Sequence, residues 1–167
     1  MICAIDVFYK NTTKGYDSAR ASAVLFNDWA DSSPKQVLSI DIDKVEPYVS
    51  GQFYRRELPC ILALLEQLTS VSCVVVDGFV YLDGDKKGLG AYLYDALDQT
   101  IPIIGVAKNP YSNISEDCEV YRGTSKKPLY VTAAGMAQAD AIKHIATMQG
   151  EFRFPTLLKA VDSLCRS

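Results

Sequence analysis

The sequence predicts an α/β fold: a mixed sheet of three antiparallel strands followed by parallel ones, flanked by helices. Two observations predict it. Residues 2–8, 19–27 and 36–42 have strand composition and are joined by short polar links, the pattern of an antiparallel meander. Further on, Val74-Val75-Val76-Asp77 reads as a buried strand, residues 89–97 have helical period, and residues 101–108 give another short buried strand. Strand, helix, strand in that order implies a parallel pair.

At 167 residues, with 49% apolar and 22% charged residues, the chain suits a single domain, residues 1–167, with a full hydrophobic core. The net charge of −3 and pI near 5.1 argue against a broad basic face for long duplex nucleic acid, while leaving room for a local basic groove. The five cysteines are odd in number and form no Cys-x-x-Cys pair. Without a charged-then-apolar leader or a long apolar run, they read as reduced core thiols of a cytoplasmic protein that contacts no membrane. A single histidine, His144, disfavours a zinc site.

In chain order, Ile2-Cys3-Ala4-Ile5-Asp6-Val7-Phe8 is apolar on both faces with Asp6 in its middle. An ionised carboxylate there is costly unless it binds metal, or lies at a strand edge and bonds a basic residue or backbone. Residues 10–18 are polar and contain Gly15, so they read as a hairpin loop, and Asp31-Ser32-Ser33-Pro34 has turn composition. Pro47-Tyr48-Val49-Ser50-Gly51 is a further loop, after which Arg55-Arg56-Glu57-Leu58-Pro59 leads into a core helix through residues 61–68. Pro59 is tolerated only near the start of that helix, which puts Glu57 in or just before its first turn. There Glu57 could simply favour the helix amino terminus, and Arg55 and Arg56 could be solvated charges or phosphate contacts.

Three β-branched residues in a row make residues 74–76 too apolar for solvent, so Asp77 stands at the carboxyl end of a strand buried on both faces. Open α/β sheets place ligands at such ends, although Asp77-Gly78 could equally open a turn. Residues 119–122 and 129–132 read as short edge strands, and helices are expected at about 136–148 and 156–165, the second opened by Pro155. His144 falls on the polar side of the first of these helices and reads as exposed and structural. The glycines at 84, 88 and 90 fit neither a Lys-Ser/Thr phosphate loop nor a dinucleotide fingerprint.

This element order is that of a ribonuclease H-like fold, in which an acid in the first strand, an acid at the first helix and an acid ending the fourth strand can meet. Asp6, Glu57 and Asp77 occupy those places. Clustered carboxylates repel one another and raise their pKa values unless a cation intervenes, and hard oxygen ligands suit Mg²⁺.

The chain also resembles a known family, endonuclease V. Pro47-Tyr48-Val49-Ser50-Gly51 is similar to its Pro-Tyr-Ile-Pro-Gly wedge loop, Tyr54-Arg55-Arg56-Glu57-Leu58-Pro59 to its Phe-Arg-Glu-Gly-Pro segment, and Val75-Val76-Asp77-Gly78 to its strand ending in Asp-Gly. Leu89-Gly90 and Ile101-Pro102-Ile103-Ile104-Gly105-Val106-Ala107-Lys108 match its Leu-Gly and its Ile-Pro-Thr-Ile-Gly-Val-Ala-Lys. The resemblance implies Asp6, Glu57 and Asp77 as ligands of Mg²⁺, with Mn²⁺ as a substitute, Tyr48 as a wedge at the lesion, and Lys108 at the scissile phosphate. It implies hydrolysis of a phosphodiester bond near a deaminated purine, usually inosine, in DNA or RNA, by a protein expected to be monomeric. Arg56, Gly51, Gly78 and Gly105 would serve substrate binding, the glycines by close backbone approach. Asp83 stands where the family has a histidine in the loop after the aspartate, and no histidine replaces the later Gly-His around Ala133-Ala134-Gly135-Met136. A negative acceptor at Asp83 predicts weaker preference for inosine. Two other readings compete: a non-catalytic nucleic-acid binder that keeps the acids, and a small nucleotide-binding protein using Gly84 to Gly90.

Overall fold

The computed structural model describes residues 1–11, 16–82, 85–111 and 116–167. The chain begins with β1 (Ile2–Asn11), β2 (Asp17–Phe26) and β3 (Gln36–Ile42), the expected antiparallel meander. Helix α1 (Tyr54–Leu65), β4 (Cys73–Asp77), α2 (Leu89–Ala96) and β5 (Ile103–Ala107) follow, with β4 parallel to both β1 and β5. The chain closes with β6 (Glu119–Val120), β7 (Leu129–Ala134), α3 (Gln138–Thr147) and α4 (Thr156–Arg166). All seven strands form one sheet in the order β3-β2-β1-β4-β5-β7-β6.

Alternation along the strands assigns each residue to one of two layers. Cys3, Ile5, Val7, Val74 and Val76 pack against Cys60, Ile61 and Leu64 of α1 and Leu89, Ala91 and Leu93 of α2. Ile2, Ala4, Cys73, Val75 and Val106 face the opposite way, against Ala141 and Ile145 of α3 and Leu157 and Val161 of α4. By the same parity Asp6 and Asp77 both point toward the α3–α4 layer. The parallel register pairs Ile2 with Cys73 and Ala4 with Val75. Continuing it by two residues sets Asp6 beside Asp77 at the carboxyl ends of the parallel strands, where α/β sheets place their ligands.

Gly88 and Gly90 serve the packing of the chain itself. A Cβ on Gly88 would lie 2.4 Å from the Phe79 carbonyl oxygen, and one on Gly90 would lie 2.6 Å from a Val80 methyl. The glycines let the start of α2 close over residues 79–80, which accounts for them without a phosphate.

The link from α3 to α4 is organised by one buried cation. The Arg122 guanidinium donates to the carbonyls of Met148 (2.7 Å), Phe152 (3.0 Å), Gly150 (3.1 Å) and Arg153 (3.3 Å). Arg153 in turn donates to the carbonyls of Lys108 and Pro128, tying the approach to α4 to the end of β5.

Three local expectations are corrected. Helix α1 starts at Tyr54, so Pro59 lies inside it; Glu57 still falls in its first turn. Strand β7 is not an edge, because β6 pairs with its outer side while β5 pairs with its inner side. His144 is half-buried rather than exposed: its ring stacks on Trp29 at 4.6 Å, where the flat indole offers more contact than water does. All five cysteines are buried, as expected of core thiols. Among the described residues, no helix is long and apolar enough to cross a membrane.

Candidate metal centre

At the carboxyl ends of β1, β4 and β5 lies a cavity of about 110 Å³ walled by Asp6, Asp77, Lys108, Phe154, Lys159 and Asp162, among others. It is smaller than the roughly 300–1,000 Å³ of ordinary small-molecule sites, and so suits an ion and a phosphoryl group better than a whole nucleotide.

Asp6 enters from β1 and accepts a hydrogen bond from the Val7 amide at 2.9 Å. Burial, and then the like charge of Asp77, push its carboxyl from the ordinary 3.8 up to about 7. Asp77 ends β4 at the mouth of the cavity, where part of its side chain meets solvent. The protein packed around it still removes enough water to raise its carboxyl, with Lys108 pulling the other way. Glu57 stands in the first turn of α1, on the other face of the sheet, and is not among the residues that line the cavity. It is buried, and burial followed by the charges of Asp77 and Asp6 holds it well above the usual carboxylate range. Its Oε2 is buried and makes no hydrogen bond.

One acid of the site was not singled out in the sequence. Asp162 of α4 lies within 4.8 Å of Asp6 and of the Cys165 thiol, each measured between possible ligand atoms. Burial works against its charge, but hydrogen bonds from Arg166, at 3.0 Å, and from Asp6 hold it below the ordinary value. The available signal was an acid on an amphipathic helix one turn before an arginine, which surface helices show routinely. Cys165, buried beside these acids, has its thiol raised to about 12 by burial and then by Asp6 and Asp162.

These residues fit a divalent cation. Asp6, Asp77 and Asp162 line the cavity, Glu57 lies near enough for the charges of Asp77 and Asp6 to raise it, and among the described residues its buried Oε2 has no donor. Hard oxygen ligands in that number are what Mg²⁺ or Mn²⁺ takes.

The other predicted residues fall into two groups. Lys108 lines the cavity with its ammonium 5.1 Å from the centre of the Phe154 ring. Tyr48 is 62% exposed in the loop before α1 and meets Phe53 edge-on at 6.4 Å, so its ring is open for contact. Gly51 and Gly78 have φ of +78° and +118°, backbone that side chains rarely adopt, with open space where a Cβ would be. Arg56 is buried, pairs with Asp17 at 2.9 Å and lies 4.0 Å over the Tyr9 ring. At Gly105 a Cβ would meet the Gly78 carbonyl oxygen at 2.5 Å, so its bare Cα accommodates the turn after β4. Asp83 lies outside the described residues.

Residues 1–163 match the family described as Endonuclease V. An Endonuclease V of Streptomyces avermitilis is 30% identical over 141 residues, covering 72% of this chain and 61% of that protein. The chain thus spans about three fifths of the length of that relative. The Endonuclease_V structure from Bacillus subtilis superposes with a TM-score of 0.81 at 19% identity, over 99% of this chain and 78% of that one. The Endonuclease V of Ciona intestinalis, solved with a 23mer DNA containing an inosine followed by a ribo-adenosine, gives 0.73 at 18% identity, over 99% and 83%. These likenesses establish the ribonuclease H-like fold expected from the element order. Because the family match runs through residues 1–163 rather than over one motif, the chain belongs to the endonuclease V family.

Proposed function

We propose that this chain is a metal-dependent endonuclease that hydrolyses a phosphodiester bond near a deaminated purine, inosine, in DNA or RNA. The observation that carries the reading is the cavity at the strand ends lined by Asp6, Asp77 and Asp162, with the buried Glu57 near enough to be raised by the charges of Asp77 and Asp6. Asp6, Glu57, Asp77 and Asp162 would hold the ion, Mg²⁺ with Mn²⁺ as a substitute. When bound, such an ion supplies positive charge for the phosphate and a water of lowered pKa for the attack.

The chain's own residues supply the rest. Lys108, on the cavity wall, places its ammonium where a phosphate oxygen would bring negative charge. Phe154 offers its ring face to that ammonium. Tyr48, with its ring open, fills or stacks on the space of a displaced base, and the bare backbone at Gly51 and Gly78 lets a base edge approach. The inosine-bearing DNA on the Ciona relative supports this substrate class. The buried cysteines suit the reducing conditions of cytoplasm.

The nucleotide-binding alternative, which uses Gly84 to Gly90, loses Gly88 and Gly90 to packing on Phe79 and Val80, while Gly84 lies outside the described residues. The test is cleavage of inosine-bearing and inosine-free strands, single and double, DNA and RNA, with Mg²⁺ or Mn²⁺ and with chelator. Metal-dependent cuts near inosine are expected. Binding without turnover on any of them would make the chain a binder that keeps the acids.

A further inference from the structure

Away from the acids, cations and aromatic rings alternate along one surface. Tyr54, the first residue of α1, and Tyr92 of α2 stack face to face, with ring centroids 3.8 Å apart and planes 12° from parallel. Lys87 sits over Tyr92, its ammonium 5.7 Å from the ring centre, and Arg55 donates to the Tyr54 hydroxyl at 3.4 Å. The adjacent Lys86 reaches a different ring, donating to the Tyr111 hydroxyl at 3.3 Å with its ammonium 5.8 Å from that ring centre. Tyr111 meets Phe79 edge-on at 6.4 Å.

Both ends of this band are close in sequence to the acids. Tyr54 lies one turn before Glu57 on α1, and Phe79 is two residues beyond Asp77. The hydrophobic core does not explain the cations: Arg55, Lys86 and Lys87 are exposed and the four rings only half-buried. Lys87 is offset by Asp95 at 2.5 Å, which leaves Arg55 and Lys86 as the positive charges of the band without a carboxylate among their hydrogen-bond partners in the described residues. In a chain of net charge −3, cations interleaved with aromatic rings suit a strand that carries phosphates and bare bases together.

We propose that this band grips a single-stranded stretch of the substrate next to the cleaved linkage, with phosphates on Arg55 and Lys86 and unpaired bases against the tyrosine rings. The proposal rests on the nuclease reading and adds the strand state it acts on. Bases inside a duplex keep their faces stacked on each other, so the rings contribute only when the flanking nucleotides are unpaired. A duplex would use the cations alone.

The test measures binding of a labelled single strand of about 16 nucleotides, and of its duplex, over a salt series without divalent metal. Arg55→Gln combined with Lys86→Gln should flatten the single-strand plot of log affinity against log salt by about 0.7 for each lost phosphate contact. Tyr92→Ala should weaken single-strand binding by about fivefold or more, Tyr92→Phe should not, and duplex binding should ignore both. An unchanged salt slope in the double variant overturns the proposal, and so does an equal effect of Tyr92→Ala on duplex. Arg55 and Lys86 are exposed, so the salt arm stands even if Tyr92→Ala fails to fold. Cleavage assays with Mg²⁺ run in parallel separate the two readings. Turnover with an unchanged slope overturns the band alone, and a flattened slope without turnover overturns the nuclease reading alone.

Discussion

Asp6 of β1 and Asp162 of α4, from opposite ends of the chain, bring carboxylate oxygens within 4.8 Å of each other, and Asp162 adds to the rise of the Asp6 carboxyl while Asp6 helps hold Asp162 below its ordinary value. Arg166, bonded to Asp162 at 3.0 Å and resting 4.9 Å over the Phe8 ring, keeps the charge on Asp162. Binding a divalent ion would displace the proton that the raised Asp6 carboxyl otherwise holds and leave two carboxylates facing the ion, so metal affinity rises with pH.

Asp162→Asn is therefore expected to weaken Mn²⁺ binding by about 10–100-fold and to lower cleavage in step, with the melting temperature of the metal-free protein unchanged or higher. Calorimetric titration with Mn²⁺ reads this directly, and wild-type affinity would place Asp162 outside the ligand set. Asp77→Asn should abolish metal-dependent cleavage while preserving the fold, because the amide keeps the shape and loses the charge.

The raised carboxyl of Asp6 gives the metal-free protein a defined pH dependence. In the unfolded chain this group titrates near 3.8, and in the folded one near 7. The folded state holds the extra proton between those values, so stability from this group is complete below about pH 4 and is lost as pH rises to about 7. Melting curves without metal should show that loss, on the order of 4 kcal/mol. Mg²⁺ should restore stability at neutral pH, and Asp6→Asn should flatten the profile. A metal-free protein whose stability rises steadily from pH 4 to 7 would contradict the shift.

Tyr48→Ala should weaken binding to an inosine-bearing strand by about 1–3 kcal/mol, the value of one base–aromatic stack, without changing Mn²⁺ affinity. Fluorescence anisotropy with inosine-bearing and inosine-free strands measures it. Equal affinities of parent and variant would show that the exposed ring is not a wedge.

Phe154 holds the Lys108 ammonium through its ring face. Phe154→Leu keeps an apolar wall but removes the face, and is expected to lower kcat about two- to fivefold with KM unchanged. Phe154→Tyr should retain the parent rate. A change confined to KM would mean that Lys108 acts in binding rather than at the reacting phosphate.

Arg122→Met removes a guanidinium that donates to four carbonyls and leaves them without that donor. A loss on the order of 2–4 kcal/mol in chemical denaturation is expected, because unpaired buried acceptors carry their desolvation penalty. Lys108 and α4 should loosen together, since the loop that Arg122 holds carries Arg153, whose guanidinium binds the Lys108 carbonyl.

By itself the sequence determined the layer order, the meander, the parallel core and the placement of Asp6, Glu57 and Asp77. Those features rest on local rules: alternation in β1, a β-branched run ending in Asp77, and a helix whose first turn holds Glu57. Only the tertiary structure decided the rest. Asp162 reads locally as a surface acid with an i,i+4 partner in Arg166, and it becomes a site residue because α4 packs across β1. Gly105 reads as room for a ligand, yet the turn at Gly78 closes over it. Residues 129–134 look like an edge strand until β6 pairs beyond them. Each of these turns on which distant segment docks where, and that is chosen by burial and pairing summed over the whole chain, which local periodicity does not encode.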